Sequence, residues 1–320
     1  VLIKGSKQRE NNEMPHHQPQ NSNNLAEITN LLDSIGIIEE SPAKSASSAL
    51  SWLAIAKGTL PSGLNYPRLS VFIGNHGFAE DFPSDPKNEQ YVNKYVRDCG
   101  SGNLTLNRLA EHANCDIRLY ELNPSGGAPL PNAIKTKSPA TSETDLCLAL
   151  AYGMVSVEPE IDLYATAALG AGSEAVAKAI IAAHTSPTID AQDIQVSSLL
   201  ALNHGAKGLE CLKNIGGPEI AALCGTIIAT RMGRIPVLLE GLAGYAALLI
   251  LYHHNPYIVQ HCAQTGLFDS SFIPDERFTV LPPPYDTAKE TGTSLACLIA
   301  SFRNEIALNG ANNGTNEYRI

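Results

Sequence analysis

The chain has 320 residues and a formal net charge of −10, with 44% hydrophobic, 17% charged and 6% aromatic residues. That is enough apolar material for one sizeable core, or one core and a small satellite, and an acidic balance without a basic stripe argues against a nucleic-acid partner. Seven cysteines, an odd number with no C-x-x-C spacing, argue against a disulfide framework or a zinc site and suit reduced thiols in a cytoplasmic protein.

The longest apolar run, Leu242 to Tyr252, is too short to span a bilayer. Residues 1–24 are rich in Asn, Gln and His and read as a disordered tail without a signal-peptide pattern. From Leu25 the chain becomes periodic. Leu25, Ile28, Leu31, Leu32 and Ile35 share one face of a helix reaching Ile38, and Ser45 to Lys57 forms a second. The β-branched run 68–74 is a buried strand ending in Gly74-Asn75-His76-Gly77.

Helices are expected over Asn88–Cys99 and Leu104–Ala113, then a strand over Asp116–Leu122. Pro124 to Pro139 reads as loop, and Ser142 to Gly153 as a helix capped by Ser142. A third strand, Ile161–Leu169, opens through Gly170-Ala171-Gly172-Ser173 into the helix Glu174–Ala183. Two further helices cover Asp190–Asn203 and Ala206–Asn214. Gly216-Gly217-Pro218-Glu219 then leads into an apolar helix, Ile220–Met232. Arg234 to Leu239 is a strand ending in Glu240-Gly241, followed by a helix over Leu242–His254. After Phe278 come a strand, a proline triplet and a last helix near Gly292–Arg303. The recurrence of strand, glycine turn and helix predicts an α/β, Rossmann-like, doubly wound and mostly parallel sheet.

In such sheets ligands sit at the carboxyl ends of the strands. Gly170, Gly172 and Ser173 let a phosphate approach a helix N-terminus, although Ala175 breaks the G-x-G-x-x-G dinucleotide pattern and an ordinary βα turn has the same form. Gly216 and Gly217 allow close approach of a ligand or a helix. Glu219 there serves the helix dipole. Glu240 beside Gly241 faces a pocket or caps a helix. Asn75 and His76 end a buried strand, where a histidine is either hydrogen-bonded structure or a ligand contact. Before the last helix, Glu290 is a candidate base and Lys289 a candidate phosphate ligand; a capping arrangement with Thr291 fits the same residues.

These motifs, in this order, resemble the nicotinate-nucleotide:dimethylbenzimidazole phosphoribosyltransferase family. The segment 215–249, IGGPEIAALCGTIIATRMGRIPVLLEGLAGYAALL, is similar to its GG-x-EIAALAGAI…RIPVLLDGF block. ALSWLAIAKG (49–58), VFIGNHGFAED (71–81), DLYATAALGAGSEAVA (162–177) and AKETGTSLACL (288–298) resemble further family stretches, so the likeness covers roughly 25–305. It implies transfer of phosphoribose from nicotinate mononucleotide to 5,6-dimethylbenzimidazole, giving α-ribazole 5′-phosphate and nicotinate with inversion at C1′. It implies a glutamate base and glycine loops around the phosphate, a homodimer, and no metal or redox cofactor. It also implies a division into a large domain over 61–285 and a small helical domain built from 25–60 and 286–320.

The chain departs from the family at its carboxylates. Aligned on Thr291, Gly292 and Leu295, the family's catalytic glutamate falls at Lys289, with Glu290 one position later. A second family glutamate falls at Ala168, Asp-His-Gly becomes Asn75-His76-Gly77, and Asp-Gly becomes Glu240-Gly241. Ser41 to Ser48 does not match the family's TKPPGSLG loop. Expected site residues are therefore Glu290 as base, with Asn75, His76, Gly170, Gly172, Ser173, Gly216, Gly217, Glu240, Gly241, Lys289 and Gly292 around the substrates. The alternatives are a relative that binds a nucleotide or aromatic base in a regulatory role and, more remotely, a nicotinamide-dependent Rossmann enzyme.

Overall fold

The computed structural model describes residues 24–36, 49–59, 62–122, 130–185, 193–265, 277–282 and 290–316. The N-terminal tail, the segment around Ser41 to Ser48, the loop from Pro124 and Lys289 lie outside them.

In chain order the elements are α1 (Asn24–Ser34), α2 (Ala49–Lys57), β1 (Pro67–Ile73), a 3-10 turn (Gly77–Asp81), α3 (Glu89–Gly100), α4 (Thr105–His112) and β2 (Asp116–Glu121). Then come α5 (Ala133–Thr136), α6 (Glu143–Val155), β3 (Leu163–Leu169), α7 (Ser173–Thr185), α8 (Ile194–Asn203), α9 (Gly208–Ile215) and α10 (Pro218–Gly233). The chain continues through β4 (Val237–Glu240), α11 (Gly241–His254), a 3-10 turn (Pro256–Val259), β5 (Cys262–Thr265), β6 (Thr279–Val280) and α12 (Thr293–Asn316).

The six strands form one sheet in the order β2-β1-β3-β4-β5-β6, and every neighbouring pair is parallel. Both faces are covered, which explains why β1 is buried at all seven positions instead of alternating. Successive side chains point to opposite faces. Leu69, Val71, Ile73, Leu163, Ala165 and Leu238 pack with α2, α3, α4 and α12. Phe72, Tyr164, Val237 and Leu239 pack with α6, α7 and α9 to α11 on the other side. The single tryptophan, Trp52 of α2, is fully buried and stacks on Phe302 of α12 with ring centroids 6.2 Å apart.

Three elements differ from the sequence expectation. The segment after residue 130, read as loop, contains the helical turn α5, which forms because Asn132 accepts the Lys135 N–H and caps it. Strand β5 was not anticipated, since Cys-Ala-Gln-Thr carries little β-branched character, yet all four residues are buried between β4 and β6. The last helix runs to Asn316, well beyond Arg303. Elsewhere local signals worked: Ser142 caps α6 by accepting the Asp145 N–H, and Pro218 occupies the first turn of α10.

Candidate active site at the carboxyl edge of the sheet

From β1 the chain moves to one side to make β2, then returns past β1 to make β3 on the other side. The carboxyl ends of β1 and β3 are therefore the topological switch point, where connections diverge and leave a crevice. Two turns meet there. The Gly74 N–H donates to the Leu169 carbonyl at 3.1 Å, and the His76 N–H to the Ala171 carbonyl at 3.0 Å. Asn75 Oδ1 accepts the Ala171 N–H at 2.9 Å, so that amide of the glycine turn is already committed. The turns lie so close that a methyl group at Gly170 would sit 1.8 Å from the Gly74 carbonyl oxygen.

Behind these turns lies Glu219, in the first turn of α10 and fully buried. Its Oε1 accepts from Ser173 Oγ at 2.9 Å and pairs with His76 Nε2 at 2.9 Å. Its Oε2 has no hydrogen-bond partner among the described residues and occupies space left by two absent side chains. A Cβ on Gly217 would lie 2.4 Å from that oxygen, and one on Gly74 2.6 Å. Two of the expected site residues, His76 and Ser173, thus hold this carboxylate, with Gly217 shaping its seat, while Asn75 and Gly170 lie where the two turns meet. Gly172, at φ +83, passes beside Phe78 and His76. Gly216 lies further back and closes α9, donating its N–H to Leu212.

A cleft of about 650 Å³ opens in front of the turns, lined by Asn75, His76, Gly77 and Ala171, by the end of β2 at Glu121, and by α3. The described lining includes three carboxylates, Glu80, Glu89 and Glu121, and neither lysine nor arginine. A larger cleft of about 800 Å³ lies at the opposite, amino edge beside Arg68 and Asp116. There the buried guanidinium is consumed by Asp116 at 3.2 Å and Glu158 at 2.8 Å. The smaller cleft is the candidate site, because it lies at the switch point and meets the glycine turns.

The remaining expected residues form a second group along the same edge. The Glu240 carboxylate accepts the backbone N–H of Gly292 and, at 3.3 Å, that of Ser294, so it caps α12. Burial raises the Glu240 pKa to about 7, against the opposing pull of those hydrogen bonds. Glu290 Oε1 accepts the Leu106 N–H at 2.7 Å and caps α4, whose own N-cap residue, Leu104, has no suitable side chain. Tyr95 of α3 donates its hydroxyl to the Thr291 carbonyl at 2.8 Å, and burial together with the nearby thiol and carboxylates raises its pKa. Gly241, at φ +70, starts α11, and Gly292, at φ +89, starts α12 against Leu106.

Sequence reasoning missed two participants. Glu219 was given only a dipole role; the signal was a glutamate two residues after paired glycines, which leave room for a carboxylate. Lys87 was not singled out. Its Nζ lies 3.6 Å from Glu174 in the first turn of α7, and its charge favours the ionised form of Glu240. Among the described residues, no cluster of three or more His, Cys, Asp or Glu could hold a metal ion, and no helix is long and apolar enough to cross a membrane.

A family model described as Phosphoribosyltransferase (DBI_PRT) matches residues 17–268. The chain belongs to this family. Curated relatives named nicotinate-nucleotide–dimethylbenzimidazole phosphoribosyltransferase include one from Allorhizobium ampelinum, 29% identical in an alignment that covers 66% of this chain and 65% of that protein. Another, from Rhodobacter capsulatus, is 27% identical over 75% of this chain and 80% of the relative. The matched region thus spans slightly less than two thirds of the first of these relatives. Among solved structures, the nicotinate-nucleotide-dimethylbenzimidazole phosphoribosyltransferase of Thermus thermophilus shares the fold, with a TM-score of 0.65 at 18% identity over 88% of this chain and 94% of that one.

Proposed function

We propose that this family member transfers phosphoribose from nicotinate mononucleotide to 5,6-dimethylbenzimidazole or a related aromatic base, releasing nicotinate and an α-riboside 5′-phosphate. The observation that carries the reading is the cleft at the switch point, walled by the two interlocked turns and backed by Glu219. Breaking the C1′–N bond builds positive charge on the ribose ring, and carboxylates around a half-enclosed cleft stabilise it. Holding the base in line with C1′ supplies a further part of the acceleration. The N-terminus of α7, behind Gly170 to Ser173 and beside Lys87, is the proposed seat of the phosphate. In this reading Asn75, His76, Gly172, Gly217 and Ser173 shape the cleft, while Glu240, Gly241 and Gly292 hold the neighbouring edge.

The test is incubation of the purified chain with nicotinate mononucleotide and dimethylbenzimidazole, followed by mass spectrometry for α-ribazole 5′-phosphate. Product in proportion to enzyme and time is expected. No product at micromolar enzyme, with dimethylbenzimidazole or with a panel of benzimidazoles and purines, overturns the reading. Sedimentation should show a homodimer, as the resemblance implies. One observation favours a second reading, a binding protein without turnover: the family's second glutamate is replaced by Ala168, and Glu290 is engaged as a helix cap. Calorimetry that shows base binding without product would select it.

A further inference from the structure

The reaction proposed above needs an acceptor for the proton that the benzimidazole loses, and the residue expected for that task, Glu290, spends one oxygen on the Leu106 amide and is not part of the cleft wall. We propose that His76 is the proton acceptor and that Glu219 is its positioning residue. The inference rests on the proposed reaction and deepens it.

Three observations support it. His76 is 4% exposed and is one of the residues that line the cleft. Its Nε2 is held at 2.9 Å by a carboxylate that is itself fully buried and tied to Ser173. In this proposal Glu219 Oε1 accepts from the ring as it does from Ser173, so Nε2 carries the hydrogen. Nδ1, which no hydrogen bond among the described residues uses, is left with its lone pair. An orienting carboxylate, an imidazole and a ring nitrogen without a partner among the described residues, carried by a residue that lines the cleft, form the arrangement that general-base catalysis requires.

The exposed cleft carboxylates, Glu80, Glu89 and Glu121, are poorer acceptors for such an N–H, because a solvated carboxylate is a much weaker base than imidazole. They line the same cleft as His76. Glu219 faces it from the interior, and the Phe78 ring packs 5.5 Å away.

In the step itself, the benzimidazole N–H proton passes to His76 Nδ1, and the ring's nitrogen lone pair forms the new bond to C1′. The bond from C1′ to the nicotinate nitrogen breaks, and its electron pair returns to the pyridine ring, whose positive charge disappears. The imidazolium then releases its proton to water, so the reaction yields one proton per turnover and needs no further reactant.

The experiment compares wild type and His76→Gln on two nucleophiles, 5,6-dimethylbenzimidazole and 1-methylbenzimidazole, which has no N–H to lose. We expect His76→Gln to lower kcat on the first by about 100-fold and to leave the rate on the second, and KM for nicotinate mononucleotide, within about threefold. Glu219→Gln should show the same selective loss to a smaller degree. Equal slowing of both nucleophiles, or of neither, overturns the role of His76 while leaving the reaction standing. A wild type inert toward both sinks the reaction and this step with it. Nitrogen NMR of the histidine-labelled full chain at pH 8 should find Nε2 protonated and Nδ1 bare; the reverse tautomer also overturns the assignment.

Discussion

Glu219 and Glu240 both stand at the carboxyl edge of one parallel sheet, and the fold uses them in opposite ways. Glu219 is completely enclosed and meets side chains, His76 and Ser173, each delivered by a different strand-ending turn. Glu240 is half-buried and meets backbone, the first amides of α12. A carboxylate bound to backbone amides fixes where a helix begins. One bound to side chains fixes which way those side chains face. The first arrangement fixes the start of α12 on the neighbouring edge, and the second orients the imidazole proposed above as the base.

The comparison breaks most violently at the contact between the two turns. In Gly170→Ala the added methyl would overlap the Gly74 carbonyl oxygen at 1.8 Å, and backbone on both sides leaves no flexible group to yield. We expect a loss above about 4 kcal/mol, seen as failure to fold or a collapse of the urea midpoint. Next is Glu219→Leu, which removes the only hydrogen-bond partner that the His76 ring has among the described residues and strands a buried imidazole and hydroxyl. A loss of about 3 kcal/mol is expected, with Glu219→Gln recovering most of it because an amide oxygen still accepts from both. If Leu and Gln destabilise equally, the hydrogen-bonded cluster is not what holds the turns.

The sheet was legible because its strands are apolar runs that end in glycine, and both features survive in one dimension. Gly74 to Gly77 and Gly170 to Ser173 could be placed at strand ends, but not shown to interlock, since strand order is a property of the folded sheet. Glu219 was misjudged for the same reason. Its position near a helix N-terminus is local and visible, whereas its partners lie 143 and 46 residues away. Glu290 shows the same limit: a resemblance centred on its neighbours suggested chemistry, while the amide that its Oε1 accepts from belongs to α4, 184 residues earlier. Strand β5 was missed because its burial comes from its neighbours and not from its own side chains.

A smaller, pH-dependent effect separates the two glutamates. Burial raises Glu240 from an ordinary 4.5 to about 7, so the folded chain holds this proton more tightly than the unfolded chain does. The associated stability is fully present below about pH 4.5 and is lost as pH rises to about 7. Glu240→Gln keeps the acceptor oxygen and cannot ionise. The difference in unfolding free energy between variant and wild type should therefore grow in favour of the variant across that window and level off above it. A flat difference from pH 4.5 to 7.5 would mean that the carboxyl is solvated like any surface glutamate.

The smallest effect sharpens the contrast between capping and catalysis. Glu290→Ala removes the acceptor for the Leu106 amide in a helix whose own first residue cannot replace it, and a loss of about 1 kcal/mol is expected. Glu290→Gln preserves an acceptor at the same reach and should stay within about 0.5 kcal/mol of wild type, measured by urea unfolding at pH 7. The pair isolates the capping role because charge is removed in both variants and the hydrogen bond in only one. If Gln costs as much as Ala, the charge itself is what α4 requires, and its attraction to the helix dipole outweighs the geometry of the hydrogen bond.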